Sequence, residues 1–394
     1  MYIKRDIEKV LKEAAGLFPA VIVTGPRQSG KTTLLKHLFS KTHSYVSMDE
    51  PDTRLMASRD PALFFENHKP PIIIDEVQYV PQIFSYIKTI IDADRKAKGQ
   101  FLLTGSQSFP LMNNVSESLA GRLAVLTLLN LSLREQFNGS AKISMVDLKK
   151  RAISGGFPEI IAEKKTNSRL WFSGYLQTYL ERDVRQLRQI GDITDFQRFL
   201  EILAAFNGQV INLSSLSRDI GVAVNTVKSW ISILEASHQI ISVKPYYLNK
   251  GKRIIKSPKI YFLDTGLLCY ISGITSIDQV FHGIASGQLL ETLVLGELVR
   301  MSYNKGDRPK VFYWRTSYGE EVDFIVENKD KVVPIEVKMS SRANVAMSKG
   351  IKSFCELFPQ KSEEGIVITV SGERTRLGEK IIAIPFNEFI KKYG

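Results

Sequence analysis

Short apolar runs recur at wide intervals through the first third of the chain: Ala20-Val21-Ile22-Val23, Ile72-Ile73-Ile74 and Phe101-Leu102-Leu103. Each predicts a buried strand, and helix-like stretches such as 31–39 lie between them. This alternation from Ala20 to Leu133 predicts a doubly wound α/β domain. Beyond it the spacing changes to three and four residues over 145–206, which predicts helices. Trp171, Phe172, Tyr175, Leu176, Tyr179 and Leu180 make one apolar stripe there, the pattern of a packed helical lid. Residues 213–220 and 225–237 predict two helices around the turn Gly221-Val222, with Val227, Trp230, Ile231 and Leu234 at core spacing. Strand-like segments at 240–247 and 259–263 follow. Helix, turn, helix and hairpin together outline a winged helix. Near the C-terminus, two strand patterns flank a polar turn over 320–338, and strands at 365–370 and 380–384 continue that sheet.

The first run leads into Gly25-Pro26-Arg27-Gln28-Ser29-Gly30-Lys31-Thr32-Thr33. This is a complete G-x-x-x-x-G-K-[ST] loop between a strand and a helix, the setting a phosphate-binding loop requires. Its backbone N–H groups and the opening helix dipole would face phosphate oxygens. Lys31 would reach the β- and γ-phosphates, and Thr32 would hold Mg²⁺. The second run ends in Asp75-Glu76, a Walker B arrangement at the C-terminal edge of a parallel sheet. Asp75 would hold Mg²⁺ through water, and Glu76 would polarise the attacking water. The third run ends near Thr104 and Ser106, either of which could sense the γ-phosphate; a polar strand end is the plainer alternative. Arg122 precedes the apolar run 123–133 and is a candidate to stabilise transition-state charge in its own or a neighbouring subunit. A surface arginine at a strand start is the competing reading.

Composition changes the picture little. The 394 residues are 44% hydrophobic, enough for two to four domains with real cores. No apolar stretch is long enough to span a bilayer, and the N-terminal residues lack the apolar core of a signal peptide. Two distant cysteines and five scattered histidines suggest neither a disulfide framework nor a zinc site. The expectation is a cytoplasmic protein with no membrane partner. Net charge +12 permits nucleic acid as a partner. Its placement matters more. Lys244, Lys250, Lys252, Arg253, Lys256 and Lys259 stand between Val243 and Leu263 without an acidic residue. A wing so charged suits DNA phosphates, with Lys250, Lys252, Arg253 and Lys256 as expected contacts. A docking surface for a protein partner is the alternative. The charged cluster Glu181, Arg182, Asp183 and Arg185 is a candidate bridge from lid to nucleotide site.

The motifs around Lys31, together with Ile74-Asp75-Glu76-Val77-Gln78 and Leu103-Thr104-Gly105-Ser106, resemble the bacterial and archaeal AAA-type ATPases with a C-terminal domain of unknown function, DUF4143-like. Gly155-Gly156-Phe157-Pro158-Glu159, Tyr179-Leu180-Glu181-Arg182-Asp183 and Leu263-Asp264-Thr265-Gly266-Leu267 resemble that family too. The resemblance covers nearly the whole chain. It implies an AAA-type P-loop core that uses ATP with Mg²⁺, no guanine-reading motif being visible, and it leaves the biological role open.

In the C-terminal hairpin, a turn centred between Lys329 and Asp330 sets Asp323 opposite Glu336, with Lys338 on the same face. Two carboxylates and a lysine so placed are the parts of a metal-dependent phosphodiester cleaver. Asp323 followed by Glu336-Val337-Lys338 resembles the PD-(D/E)xK nuclease superfamily, although Val322 stands where proline often precedes the Asp. That resemblance implies a restriction-endonuclease-like α/β fold, metal at Asp323 and Glu336, and a further Glu from a preceding helix: Glu291, or Glu297 as second choice. An active nuclease, a nuclease-like fold used for binding and a plain hairpin all stay open. The expected organisation is an ATPase core over 1–140, a helical lid over 141–206, a winged helix over 207–275 and the nuclease-like domain over 276–394. The expected function is a Mg-dependent ATPase coupled to DNA. The alternatives are an ATP-dependent signalling switch and an ATP-regulated nuclease, and a homo-oligomer is compatible with any of them.

Overall fold

The computed structural model describes residues 2–105, 118–139, 143–163, 165–180, 193–247, 257–282 and 286–393. Five strands, β1 (Ala20–Thr24), β2 (Ser44–Ser47), β3 (Ile72–Asp75), β4 (Phe101–Thr104) and β5 (Leu123–Thr127), form one sheet in the order β2-β3-β4-β1-β5. Every pairing in it is parallel. The runs are continuously apolar because both faces are covered. Successive residues point to opposite sides: Ile22, Ile72, Ile74, Phe101 and Leu103 join one core with Phe64, Phe84 and Ile87. Val21, Val23, Ile73 and Leu102 join another with Leu11, Leu34 and Leu35. Each Ile or Leu so buried contributes roughly 1.5–3 kcal/mol. Because β4 lies between β1 and β3, the two strands carrying the phosphate and carboxylate motifs are one strand apart, with Thr104 at the end of the strand between them.

The helices Met145–Ser154, Pro158–Ala162, Ser168–Tyr175 and Ile193–Ala205 follow. In the expected stripe, Phe172 and Tyr175 are buried, and Trp171 stacks on Tyr175 with ring centroids 5.1 Å apart. Leu176–Leu180 continues it as a π-helical turn. Helices Leu213–Ile220 and Val224–Ala236 meet at Gly221, and Val227, Trp230, Ile231 and Leu234 are all buried as the spacing predicts. The antiparallel hairpin of β6 (Ile240–Pro245) and β7 (Lys259–Phe262) comes next.

This hairpin does not stand apart. β6 pairs in parallel with β8 (Val311–Arg315) through Lys244↔Phe312 and Pro245↔Tyr313. Thus β6 and β7 extend a mixed eight-stranded sheet with β9 (Glu321–Asn328), β10 (Lys331–Lys338), β11 (Gly365–Thr369), β12 (Thr375–Gly378) and β13 (Ile381–Pro385). Its order is β12-β13-β11-β10-β9-β8-β6-β7. A single hydrophobic core runs through the helices, the hairpin and this sheet, from Leu129 to Ile390. The 19-residue helix Ser286–Asn304 packs against β10 of this sheet and reaches β5 of the other. Among the described residues, no helix is long and apolar enough to cross a membrane. Cys269 and Cys355 are free thiols.

Candidate nucleotide site and a buried acidic cluster

The loop after β1 curls closely under its neighbour: a Cβ on Gly25 would lie 2.1 Å from the Leu128 carbonyl oxygen, and φ there is +141°. No residue but glycine fits. Lys31, buried at the start of helix Lys31–Phe39, folds back so that Nζ donates to the carbonyls of Gly25 (3.2 Å) and Pro26 (2.8 Å). The Ser29 hydroxyl is buried and has no hydrogen-bond partner. The loop is anchored from an unexpected quarter. Buried Arg5 donates to the carbonyls of Ser29 (2.9 Å) and Leu129 (2.6 Å), and pairs with Glu135 at 3.1 Å.

At the C-terminal ends of β3 and β4 the expected carboxylates meet the loop. Thr32 Oγ1 donates to Asp75 Oδ1 at 2.8 Å, and the Thr104 hydroxyl donates to the same oxygen. Tyr45 donates to Asp75 Oδ2 at 3.0 Å. Burial, then the neighbouring Asp75, pushes the Tyr45 phenol up to about 12, so it stays a donor. The Thr104 Oγ1 also accepts from the Glu76 backbone N–H at 3.1 Å. Of the two candidate sensors, Thr104 therefore touches both acidic residues; Ser106 lies outside the described residues. Glu76 adopts a left-handed backbone (φ 55°), and its carboxylate accepts from the Gln78 side-chain amide. A cavity of about 470 Å³ opens here, within the range of small-molecule sites. Its walls include Gln28, Gly30, Lys31, Thr32, Thr33 and Glu76, and residues of the N-terminal segment (Arg5) and of the helix Pro158–Ala162 complete it.

Arg122 is a correction. It pairs with the start of β1 rather than its end, because β5 runs parallel to β1 with Ala20 opposite Leu123. At about 3.3 Å per residue it sits roughly 15 Å from the phosphate loop, on the far edge of the sheet. There its guanidinium grips Asp92 with two 2.9 Å bonds on the surface, and hydrogen bonds from Arg122 and Arg95 draw the Asp92 carboxyl down to about 2. It cannot serve the site of its own subunit.

The second cluster follows the expected register. β9 and β10 join through a two-residue turn in which Lys329 takes φ 54°, and their ladder runs from Asn328↔Lys331 to Phe324↔Ile335. One residue beyond the end of that ladder on each strand stand Asp323 and Glu336, both buried. Asp323 accepts from the Val337 backbone N–H at 2.8 Å, and Lys338 Nζ donates to Glu336 Oε1 at 2.6 Å. The other Glu336 oxygen is buried without a partner. Glu291, from the helix Ser286–Asn304, accepts from Tyr261 at 2.9 Å. Burial, then the nearby Asp323, pushes both Glu291 and Glu336 up to about 8. Asp323 is raised by burial as well. Burial alone would lower Lys338, but Glu336, Asp323 and Glu291 together raise it. Lys259 of β7 pairs with Glu321 beside them. Among the described residues, no group of three or more His, Cys, Asp or Glu side chains is arranged to hold a metal ion. Glu297, the second choice for this cluster, lies toward the other end of the helix and faces the ATPase core. The wing residues Lys250, Lys252, Arg253 and Lys256, and the lid cluster Glu181, Arg182, Asp183 and Arg185, lie outside the described residues.

Comparison with known proteins decides the family. An AAA domain model matches residues 17–137, a domain of unknown function (DUF8612) matches 145–278, and a second (DUF4143) matches 286–389. An uncharacterized protein of Mycobacterium bovis and one of Mycobacterium tuberculosis are each 30% identical over 393 residues, covering 98% of this chain and 84% of theirs. The chain belongs to the AAA-type P-loop ATPases that carry a C-terminal DUF4143 domain. Among solved structures, a Walker-type ATPase of Pyrococcus abyssi is similar at 13% identity, TM-score 0.47, over 68% of this chain and 96% of that one. A RuvB variant of Thermotoga maritima is similar at 15% identity, TM-score 0.30, over 60% of this chain and 88% of that one.

The geometry of the later motifs shows what they do in this chain. Asp264 is buried and accepts from Asn130 Nδ2 (2.5 Å), the Gly156 N–H (2.8 Å) and the Leu267 N–H (2.9 Å). Gly155 must be glycine, since its Cβ would meet Asp264 Oδ1 at 2.3 Å. Asn130 and Gly156 each lie within two residues of a wall of the ATPase cavity, Leu131 and Pro158. From the far side, Arg300 donates to the carbonyls of Asn130 (3.2 Å) and Leu263 (2.8 Å), and pairs with Glu297 at 3.2 Å. Glu297 in turn accepts the Leu133 N–H at 3.1 Å. Sequence reasoning found none of Arg5, Tyr45, Gln78, Asn130 or Arg300 as functional residues; only the motifs holding Gln78 and Asp264 offered a signal.

Proposed function

We propose that the chain hydrolyses ATP at the cavity beside Lys31 and couples that cycle to DNA. The observation that carries the hydrolytic reading is the convergence of Thr32, Asp75, Thr104 and Glu76 on the open end of the phosphate loop. A nucleotide phosphate entering the loop offers Lys31 Nζ anionic oxygens in place of two carbonyls, a stronger charge-assisted bond. Thr32 and Asp75, a hydroxyl and a carboxylate 2.8 Å apart, are the hard oxygen donors that Mg²⁺ takes alongside phosphates. When bound, that ion neutralises charge on the β- and γ-phosphate oxygens. Glu76 accepts a proton from water as the water oxygen bonds to the γ-phosphorus. The bond from that phosphorus to the bridging oxygen breaks, and ADP and phosphate leave. Thr104 keeps Glu76 and Asp75 in fixed relation.

The DNA reading is supported by the net charge of +12 and by the acid-free basic stretch from Val243 to Leu263. The hairpin bearing that stretch shares its sheet with Asp323 and Glu336. The buried pair with Lys338 supports a nuclease-like module that engages phosphodiesters, with cleavage as a further step that Asp323→Ala would abolish while sparing ATP turnover. A switch acting on a protein partner is favoured by one observation, the buried Asp264–Asn130–Arg300 junction between the nucleotide cavity and the C-terminal helix.

ATP turnover with and without DNA tests the proposal, with Lys31→Ala as the blank. Loss of the phosphate-binding charge should lower turnover by at least ~10²–10³-fold. A several-fold rise on adding DNA, steeply lost as salt increases, supports the coupling. A flat response to single-stranded, duplex and branched DNA would move the weight to the protein switch.

A further inference from the structure

The carboxylate of Glu76 is not left to itself. Its backbone is held in the left-handed region by the tight 3₁₀ turn Val77–Tyr79, and the side chain two residues on, Gln78, donates its amide N–H to the Glu76 carboxylate. The Gln78 carbonyl oxygen is buried and has no hydrogen-bond partner. The contact that reaches the site is therefore the amide N–H on the Glu76 carboxylate. A water molecule attacking a γ-phosphate passes one proton to Glu76, and the direction of the water oxygen lone pair then depends on where that carboxylate is held.

We infer that Gln78 is a positioning residue for hydrolysis. Its amide N–H fixes the rotamer of the Glu76 carboxylate, and so the direction from which that carboxylate takes a proton from water. No proton moves to Gln78; the second proton stays on the attacking oxygen and leaves with the phosphate. The inference deepens the proposed hydrolysis and rests on Glu76 being the base. General-base catalysis typically contributes 10²–10⁴-fold, and misplacing a reacting group by about 1 Å can forfeit 10²-fold.

The test is a double-mutant cycle of single-turnover ATP hydrolysis and nucleotide affinity on the full-length chain, using Gln78→Ala, Gln78→Glu, Glu76→Gln and the Gln78→Ala/Glu76→Gln pair. Gln78→Ala should lower the hydrolysis rate by about 10-fold or more while ATP affinity changes less than about twofold. Gln78→Glu, which keeps the shape and replaces the donor with a repelling oxygen, should be at least as slow. In the Glu76→Gln background, Gln78→Ala should have no further effect, because no base is left to position. An equal loss in both backgrounds, or loss of ATP affinity, would assign Gln78 a merely structural role and overturn the inference. A faster rate in Gln78→Ala would mean that Gln78 restrains Glu76, and would overturn it too. Full hydrolysis by Glu76→Gln alone would remove the base itself, and the inference with it; that outcome is separable because it appears before Gln78 is touched.

Discussion

The two acidic sites of this molecule treat their carboxylates in opposite ways. Asp75, at the mouth of the parallel sheet, accepts hydroxyl hydrogen bonds from Thr32, Tyr45 and Thr104. Glu336, inside the mixed sheet, shares one oxygen with Lys338 and leaves the other without a partner, next to Asp323. Removing charge from water is repaid in the first case by neutral donors and is largely unrepaid in the second. The comparison teaches that Asp75 is held by donors the protein itself supplies, whereas Glu336 carries an electrostatic cost that protonation or a cationic ligand would relieve. A cost of this kind is common at functional sites, which trade stability for activity.

Breaking the junction between the two sites should have the largest effect on the fold. Arg300→Met strips the partner from buried Glu297 and three carbonyl and carboxylate contacts from the core, and should destabilise by roughly 3–5 kcal/mol at pH 8 in urea unfolding. The pH dependence sharpens this. Burial holds the Glu297 carboxyl at about 7, despite Arg300 beside it. A carboxyl raised in the folded state binds more protons folded than unfolded, so its contribution is full below about 4.5 and is lost as pH rises through about 7. By linkage that loss is on the order of 3 kcal/mol. Glu297→Gln should flatten the decline between pH 5 and 8; an unchanged slope would place the titration elsewhere.

A smaller effect separates the two sites directly. Glu336→Gln should raise stability by about 1–2 kcal/mol, seen as a melting point a few degrees higher, because a neutral amide needs no counter-charge there. Asp75→Asn, where the carboxylate is already satisfied, should give no gain. Equal shifts at both positions would erase the contrast. Smallest of all is Arg122→Ala, which removes a solvent-screened surface ion pair and should leave both the melting point and ATP turnover nearly unchanged. A tenfold loss of turnover would return Arg122 to catalysis, acting across a subunit boundary.

What the sequence revealed follows from the range of the interactions. The phosphate loop and the Asp75-Glu76 strand end are local patterns, and the apolar runs at 20–23, 72–74 and 101–103 marked three of the buried strands, whereas β2, with Ser44 and Tyr45 exposed, gave no such run. The β9–β10 register, which brings Asp323 and Glu336 to the same end of the hairpin, was readable because a two-residue turn fixes it. Arg5 and Arg300 were not readable: each is a single cation whose tie to the other half of the site spans more than 100 residues, to Leu129 and Asn130. The joining of β6 to β8 rests on two backbone pairs that no side-chain pattern announces. Short strand β12 escaped because Thr375–Gly378 is mostly exposed and carries one buried apolar residue, Leu377. Arg122 misled for a related reason: sequence position told of the strand it starts, not of which edge of a parallel sheet that start occupies.

The most direct test of the central claim is ATP binding and hydrolysis by Glu76→Gln beside the unaltered protein. The account predicts nucleotide affinity within about twofold and a hydrolysis rate lower by roughly 10²–10⁴-fold. Unimpaired hydrolysis in that variant would contradict it.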